Sequence, residues 1–217
     1  MLVKDYMTRH PLMATLQMSV VEAQKFMGEN KIRHLPVVGD GKRLLGLVTR
    51  QRLLVDPARL GSLSVWDIAR TLSSLKVSDV MLKVPEVVTI DSNLTIEEAA
   101  SMMVEKRIGC LPVVEKGILV GILTELDLLA QLSELMAARE HGVRVTIRMP
   151  SGVSGELAKL VSAIAARGWG IEACGGSPSP KAPGKWDAVI KLKVTMDEAR
   201  ATLGQIPDQE IVDIREV

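Results

Sequence analysis

Apolar and polar positions along this chain switch between two periods, and they do so twice in the same order. Over residues 20–29, and again over 94–106, apolar residues fall three and four apart, which predicts amphipathic helices. Each helix leads into two β-branched runs, 36–38 with 44–48 and 112–114 with 118–123. The second pair is divided by a short polar turn at 115–117, and both pairs read as hairpins. Helical spacing resumes after Thr49 and after Thr124, and a short extended piece, 12–16 or 86–90, precedes each first helix. The predicted order is β-α-β-β-α, written twice.

The residues themselves repeat. Val3, Asp5, Met7, Pro11 and Thr15 recur 74 positions later as Val77, Asp79, Met81, Pro85 and Thr89. Ile32, Leu35, Pro36, Val37 and Val38 recur at 76 as Ile108, Leu111, Pro112, Val113 and Val114. Gly46, Thr49 and Leu54 recur at 75 as Gly121, Thr124 and Leu129. A repeat of this kind is one supersecondary block used twice. A block of about sixty residues buries little alone, so the two copies are expected to pack sheet to sheet.

The expected organisation is a first copy at 1–56, a linker at 57–76 and a second copy at 77–137. Ser64 would cap a short linker helix, with Trp66 as its packing anchor. From residue 143 the pattern changes. Strands are expected at 143–149, 170–174, 188–194 and 211–216, with helices after Ser154 and at 197–205. The first of these helices would bury Leu157, Leu160, Val161, Ile164 and Ala165 and end at Gly168. Residues 175–185, rich in Gly and Pro, read as a flexible loop. The order βαββαβ is the ferredoxin-like plan, so the fold class is mixed α/β (α+β).

Composition narrows the function. Hydrophobic residues make up 47% of the chain and aromatics only 2%, so the cores are aliphatic. Twenty-seven basic and 26 acidic residues leave a net charge of +1, which offers no field for nucleic acid or an anionic membrane. Cys110 and Cys174 form no disulfide or metal pattern and read as small core residues. His10, His34 and His141 lack ligand spacing. The start, broken by Lys4, Asp5, Arg9 and His10, is not a secretory signal, and no run approaches the roughly 18 apolar residues of a membrane span. The chain reads as soluble and cytoplasmic, without nucleic-acid or membrane partners.

One constellation carries chemistry. At Thr124-Glu125-Leu126-Asp127 a strand runs straight into a helix, leaving free backbone N–H groups that favour an anion. Thr124 adds a hydroxyl, and Asp127 a carboxylate able to accept from both hydroxyls of a ribose. The trio suits a nucleotide with its phosphate near Thr124. It equally forms a capping box that binds nothing. In the first copy Arg52 replaces the acid, so Arg50 and Arg52 either hold extra phosphate charge or are solvated surface residues. No nucleophile, metal set or acid–base pair is evident, so the chain is not expected to be an enzyme.

Two copies of β-α-β-β-α carrying I-x-x-L-P-V-V and G-[IL]-[LV]-T resemble paired CBS domains, a Bateman module, over roughly 3–132. The phrases IRHLPVV, IGCLPVV and GILTELDLL, with the linker and tail, are similar to the acetoin-utilisation type, in which a CBS pair precedes an ACT-like domain. The resemblance implies an adenosine-containing ligand (AMP, ADP, ATP or an S-adenosylmethionine-like compound) in the cleft between copies. It assigns ribose to Asp127, phosphate to Thr124, and the adenine pocket to Val88, Thr89, Ile108, Gly109, Leu111 and Pro112. A possible second site would use Ala14, Thr15, Ile32, Arg33, Leu35 and Thr49. The tail, 143–217, would be an ACT-like unit, with Gly152 in its first turn, serving amino-acid binding or dimerisation. Together these imply a homodimeric regulatory sensor, without metal or required cofactor, acting on an unknown enzyme. The alternative is a ligand-free dimerisation scaffold or adaptor.

Overall fold

Short local signals set the helix starts. Ser19 Oγ accepts from Glu22 N at 3.1 Å while Glu22 Oε2 accepts from Ser19 N at 2.8 Å, a reciprocal cap. Thr95 and Glu98 repeat it one copy later, at 3.2 and 2.8 Å. These caps open helices Val20–Glu29 and Ile96–Lys106, which bury Val20, Ala23 and Met27, and Ile96, Ala99 and Met103. The computed structural model describes residues 1–53 and 74–217. The linker helix with Ser64 and Trp66, and most of the helix expected after Thr49, fall outside the described residues. Residues 50–53 form a turn.

In chain order the first copy contains α1 (Val3–Tyr6), β1 (Thr8–Arg9), α2 (Val20–Glu29), β2 (His34–Val38) and β3 (Leu44–Thr49). The second contains α3 (Val77–Val80), β4 (Leu82–Lys83), α4 (Ile96–Lys106), β5 (Cys110–Glu115), β6 (Ile118–Thr124) and α5 (Glu125–Leu135). Both hairpins are antiparallel, and each slips register at the equivalent place, between Val37 and Val38 and between Val113 and Val114. The extended pieces pair in parallel, Ala14 with Val37 and Ile90 with Val113.

The opening of each copy, however, packs on the other. β1 pairs with β6 and β4 with β3, giving sheets β1-β6-β5 and β2-β3-β4. Val3 is fully buried in the second copy's core and Val77 in the first's. Val3 N donates to Leu94 O at 2.8 Å, and Val77 N to Met18 O at 2.9 Å. The exchange needs a glycine in each middle strand. A Cβ on Gly46 would collide with Leu82 O, and one on Gly121 with Met7 Sδ. The sheets meet over Leu44, Leu47, Val87, Cys110, Leu119 and Ile122, the apolar layer that neither copy could bury alone.

The chain divides into units Met1–Leu128 and Leu129–Val217. The division falls inside α5, earlier than the boundary expected at 137–143. Within the second unit, Lys191 Nζ donates to Ala137 O at 2.9 Å, and Met136 lies against Gly175, so these residues belong with the tail.

The second unit continues with β7 (Val143–Pro150), α6 (Glu156–Ala165), β8 (Ile171–Pro178), β9 (Lys185–Leu192), α7 (Met196–Leu203) and β10 (Glu210–Glu216). Its antiparallel sheet has the order β10-β7-β9-β8, the ferredoxin-like arrangement. Alternate residues Val143, Val145, Ile147 and Met149 meet Leu160, Ile164, Ala199 and Leu203 in one core. Four expectations change here. Ser154 does not cap α6, because Gly155, left-handed at φ 89, takes the cap position without a side-chain bond. The buried face of α6 is narrower, since Leu157, Val161 and Ala165 are exposed. Residues 175–178 are strand, because Gly176 lies beneath the Trp186 ring, where any Cβ would collide. Cys174 is exposed and not core, whereas Cys110 is buried.

Candidate functional site

The exchange of β1 and β4 leaves two related clefts in the first unit. Each combines a strand–helix or strand–turn junction from one copy with the residues before the first hairpin strand of the other. The first, a cavity of about 340 Å³, joins Thr124 and Asp127 to Ile32, Arg33 and His34, with Thr8, His10 and Leu12 beside them. The second, about 560 Å³, joins Thr49 and Arg50 to Arg107, Ile108 and Gly109, with Glu86 and Val88 beside them. Arg33 and His34 line both, and Glu125 lines the second.

This geometry regroups the expected residues. Thr124 and Asp127 share their cleft with Ile32 and Arg33, which the resemblance had assigned to the other site. Val88, Ile108 and Gly109 share theirs with Thr49. Ala14, Leu35 and Leu111 are fully buried core residues, and Pro112 is buried too. Thr15 and Thr89 line neither cleft. The cause is the exchange: each copy's opening piece crosses the other copy's middle strand, so each cleft is built from both copies.

At the Asp127 cleft, Thr124 N and Thr124 Oγ1 each donate to Asp127 Oδ2 at 2.7 Å, and Asp127 N donates to Thr124 Oγ1 at 3.4 Å. The capping box is therefore formed. It uses only one carboxylate oxygen; among the described residues no hydrogen bond engages Oδ1. The box and an open cavity coexist at the same residues. In the Thr49 cleft, Arg52 N donates to Thr49 Oγ1 at 3.4 Å, but no acid stands at the equivalent of Asp127.

Between the clefts, Arg33 Nη2 donates to Glu125 Oε1 at 2.7 Å. Both side chains are about half exposed (50% and 48%), so the pair adds little stability. It breaks the repeat symmetry, since the equivalent positions are Gly109 and Arg50. Burial, and then the charge of Arg33, hold His34 below its usual pKa, with Glu125 opposing. Burial, helped by Glu125, pushes the Cys110 thiol up to about 12, so it is no nucleophile at neutral pH. Among the described residues no group of three His, Cys, Asp or Glu could hold a metal, and no helix is long and apolar enough to cross a membrane. The sequence reading missed Arg33–Glu125 as a pair, and it missed the shared cleft of His10 and His34.

Comparison with known proteins covers the same region. The family model of the CBS domain matches residues 3–56 and 77–134, together just over half of the chain. Inosine-5'-monophosphate dehydrogenase of Korarchaeum cryptofilum is 33% identical over 145 residues, 66% of this chain and 27% of that protein. L-aspartate semialdehyde sulfurtransferase of Methanocaldococcus jannaschii is 29% identical over 128 residues, 58% of this chain and 22% of that protein. The chain thus spans about a quarter of the length of these curated relatives. Among solved structures, a putative acetoin utilization protein (AcuB) from Vibrio cholerae aligns with a TM-score of 0.53 and 31% identity, covering 64% of this chain and 95% of that one. CBSX2 of Arabidopsis thaliana, in complex with AMP, aligns with a TM-score of 0.51 and 28% identity, covering 60% and 95%.

Proposed function

This chain belongs to the CBS-domain family, and from that premise we propose that its tandem repeat is a regulatory module binding an adenine nucleotide in the Asp127 cleft. The observation that carries this reading is the unengaged Asp127 Oδ1 beside a cavity of about 340 Å³, with Thr124 at the same helix start. A ribose diol would donate to the carboxylate. The phosphate would lie toward Thr124 and the cations Lys31 and Arg33. Ile32 and Leu12 supply apolar surface for the base. AMP bound to the related CBSX2 supports the ligand class.

In this reading the ligand shifts the arrangement of the two copies because it binds one arrangement more tightly than another. The ferredoxin-like unit, ACT-like by resemblance, relays that shift to an enzyme partner, and the chain acts as a homodimer without catalysing a reaction itself. Calorimetric titration with AMP tests the binding step. Asp127→Ala should weaken AMP by about 1.5–3 kcal/mol, the worth of a hydrogen bond to a charged group. Equal affinity in both proteins would remove Asp127 from the site. No AMP binding by the unaltered chain would favour the ligand-free scaffold, for which the completed capping box is the supporting observation.

A further inference from the structure

Lys191 is a buried cation that the candidate site does not use. It is 3% exposed and lies on β9, between Arg144 of β7 and Ala173 of β8. Among the described residues its ammonium makes one hydrogen bond, to Ala137 O at 2.9 Å, and no carboxylate lies within ion-pairing distance. A buried charge without a counter-charge is costly unless other polar groups compensate it. Ala137 supplies that compensation, because it closes the C-terminal end of α5, where helix carbonyls gather negative charge. Ala137 N donates back to Glu134 O and Ala138 N to Ser133 O, each at 2.9 Å, which winds the turn onto the end of the helix. Ala137 itself is left-handed, with φ 46, where glycine would be the easier residue. Two neighbours of Ala137 reach the same sheet. Met136 lies against Gly175 of β8, and Glu140 pairs at 3.8 Å with Lys193, just beyond β9.

The sides of α5 do little to hold it. None of its eleven residues is buried, and Leu126, Leu129, Leu132 and Leu135 are exposed. The side-chain hydrogen bonds that fix the helix lie at its two ends. Thr124 and Asp127 close the first turn, at the candidate nucleotide cleft, and Lys191 holds the carbonyl end. Eleven residues at 1.5 Å each put those ends about 16 Å apart. A helix held at both ends carries a displacement from one to the other as a rigid element.

We propose that Lys191 is the clasp through which the tail senses the Asp127 cleft. Its buried ammonium locks the carbonyl end of α5 to β9, so a change at the first turn of the helix reaches the tail sheet. The relay rests on the nucleotide reading of that cleft; the clasp does not. Lys191 touches no ligand and acts by position alone. Without it AMP would still bind, and the tail would no longer respond.

Hydrogen–deuterium exchange on the full chain, with and without AMP, tests the two claims separately. Without ligand, Lys191→Met should speed exchange at the amides of 132–138 by about tenfold or more, as expected for losing a hydrogen bond to a charged group. Lys191→Gln, which keeps a neutral donor, should fall between, and it serves if the methionine variant fails to fold. Lys193→Met, which removes only exposed ion pairs, should change little. Saturating AMP should slow exchange at 124–128 and along β9 in the unaltered protein. In Lys191→Met, AMP should bind with unchanged affinity by calorimetry and slow 124–128 alone. Equal exchange at 132–138 in the unaltered chain and both Lys191 variants overturns the clasp. The relay is overturned if bound AMP leaves β9 unchanged in the unaltered chain, or still protects β9 in Lys191→Met. If the unaltered chain binds no AMP, the nucleotide reading and the relay fall together, while the ligand-free exchange still decides the clasp.

Discussion

In the proposed reading Asp127 has two tasks with different chemical demands. As part of the cap it needs one oxygen facing Thr124 N; as a ribose contact it needs the other oxygen and the full charge. Asparagine keeps an acceptor for the first task and presents an amide donor to the second. Asp127→Asn should therefore hold the urea midpoint near that of the unaltered chain while weakening AMP, whereas Asp127→Ala also loses the cap, worth about 1 kcal/mol. A further residue-scale effect lies in the tail. Arg148 grips Asp187 with two hydrogen bonds of 2.8 and 3.0 Å at side chains only 18% and 15% exposed, and these bonds hold the Asp187 carboxyl below its usual pKa. A depressed carboxylate contributes its stability in full above its unfolded-state pKa, near 4, and loses it as pH falls through the lower folded value. Urea unfolding from pH 6 down to pH 3 should thus show a steeper acid loss in the unaltered protein than in Asp187→Asn. The variant should be less stable at neutral pH, where Arg148 lacks its counter-charge. Thr124 and Asp127 were legible because their chemistry is local, four consecutive positions at a strand–helix junction. Arg33 and Glu125 were not, since 92 residues separate them and neither is repeated.

Elements with a strong period were readable in the same way. The helices capped by Ser19 and Thr95 and both hairpins follow from spacing and caps within one segment. β1 and β4 are two residues each, too short for any period, and their partners lie in the other copy. Only the glycines of the G-[IL]-[LV]-T phrase record the exchange, as missing side chains where another backbone crosses. Gly46→Ala should destabilise the repeat by about 1–3 kcal/mol in denaturant unfolding, since the carbonyl of Leu82 cannot easily retreat. Gly121→Ala should cost less, because the thioether of Met7 can turn aside. Equal costs would mean that the crossing strands do not set the requirement. The misread stretch 175–178 has the same origin: Gly176 makes room for the Trp186 indole within a strand, while the Gly- and Pro-rich composition suggests a loop.

For the whole molecule, duplication was the most legible feature, because a matching pattern recurring at offsets of 74 to 76 fixes two hairpins, two helices and their order at once. The βαββαβ tail followed from alternation along 143–149 and from turn residues. What duplication conceals is difference. The clefts are related by the repeat, yet one carries Thr124 with Asp127 and the other Thr49 with Arg50 and Arg107, so the same architecture is lined by an acid at one junction and by cations at the other. Diffraction from crystals of the full chain grown with AMP tests the central claim most directly. The account predicts ribose hydroxyls within hydrogen-bonding distance of Asp127 Oδ1, the phosphate toward Thr124, and the base against Ile32. Density for AMP elsewhere, or a cleft at Asp127 holding only water at saturating nucleotide, would contradict it.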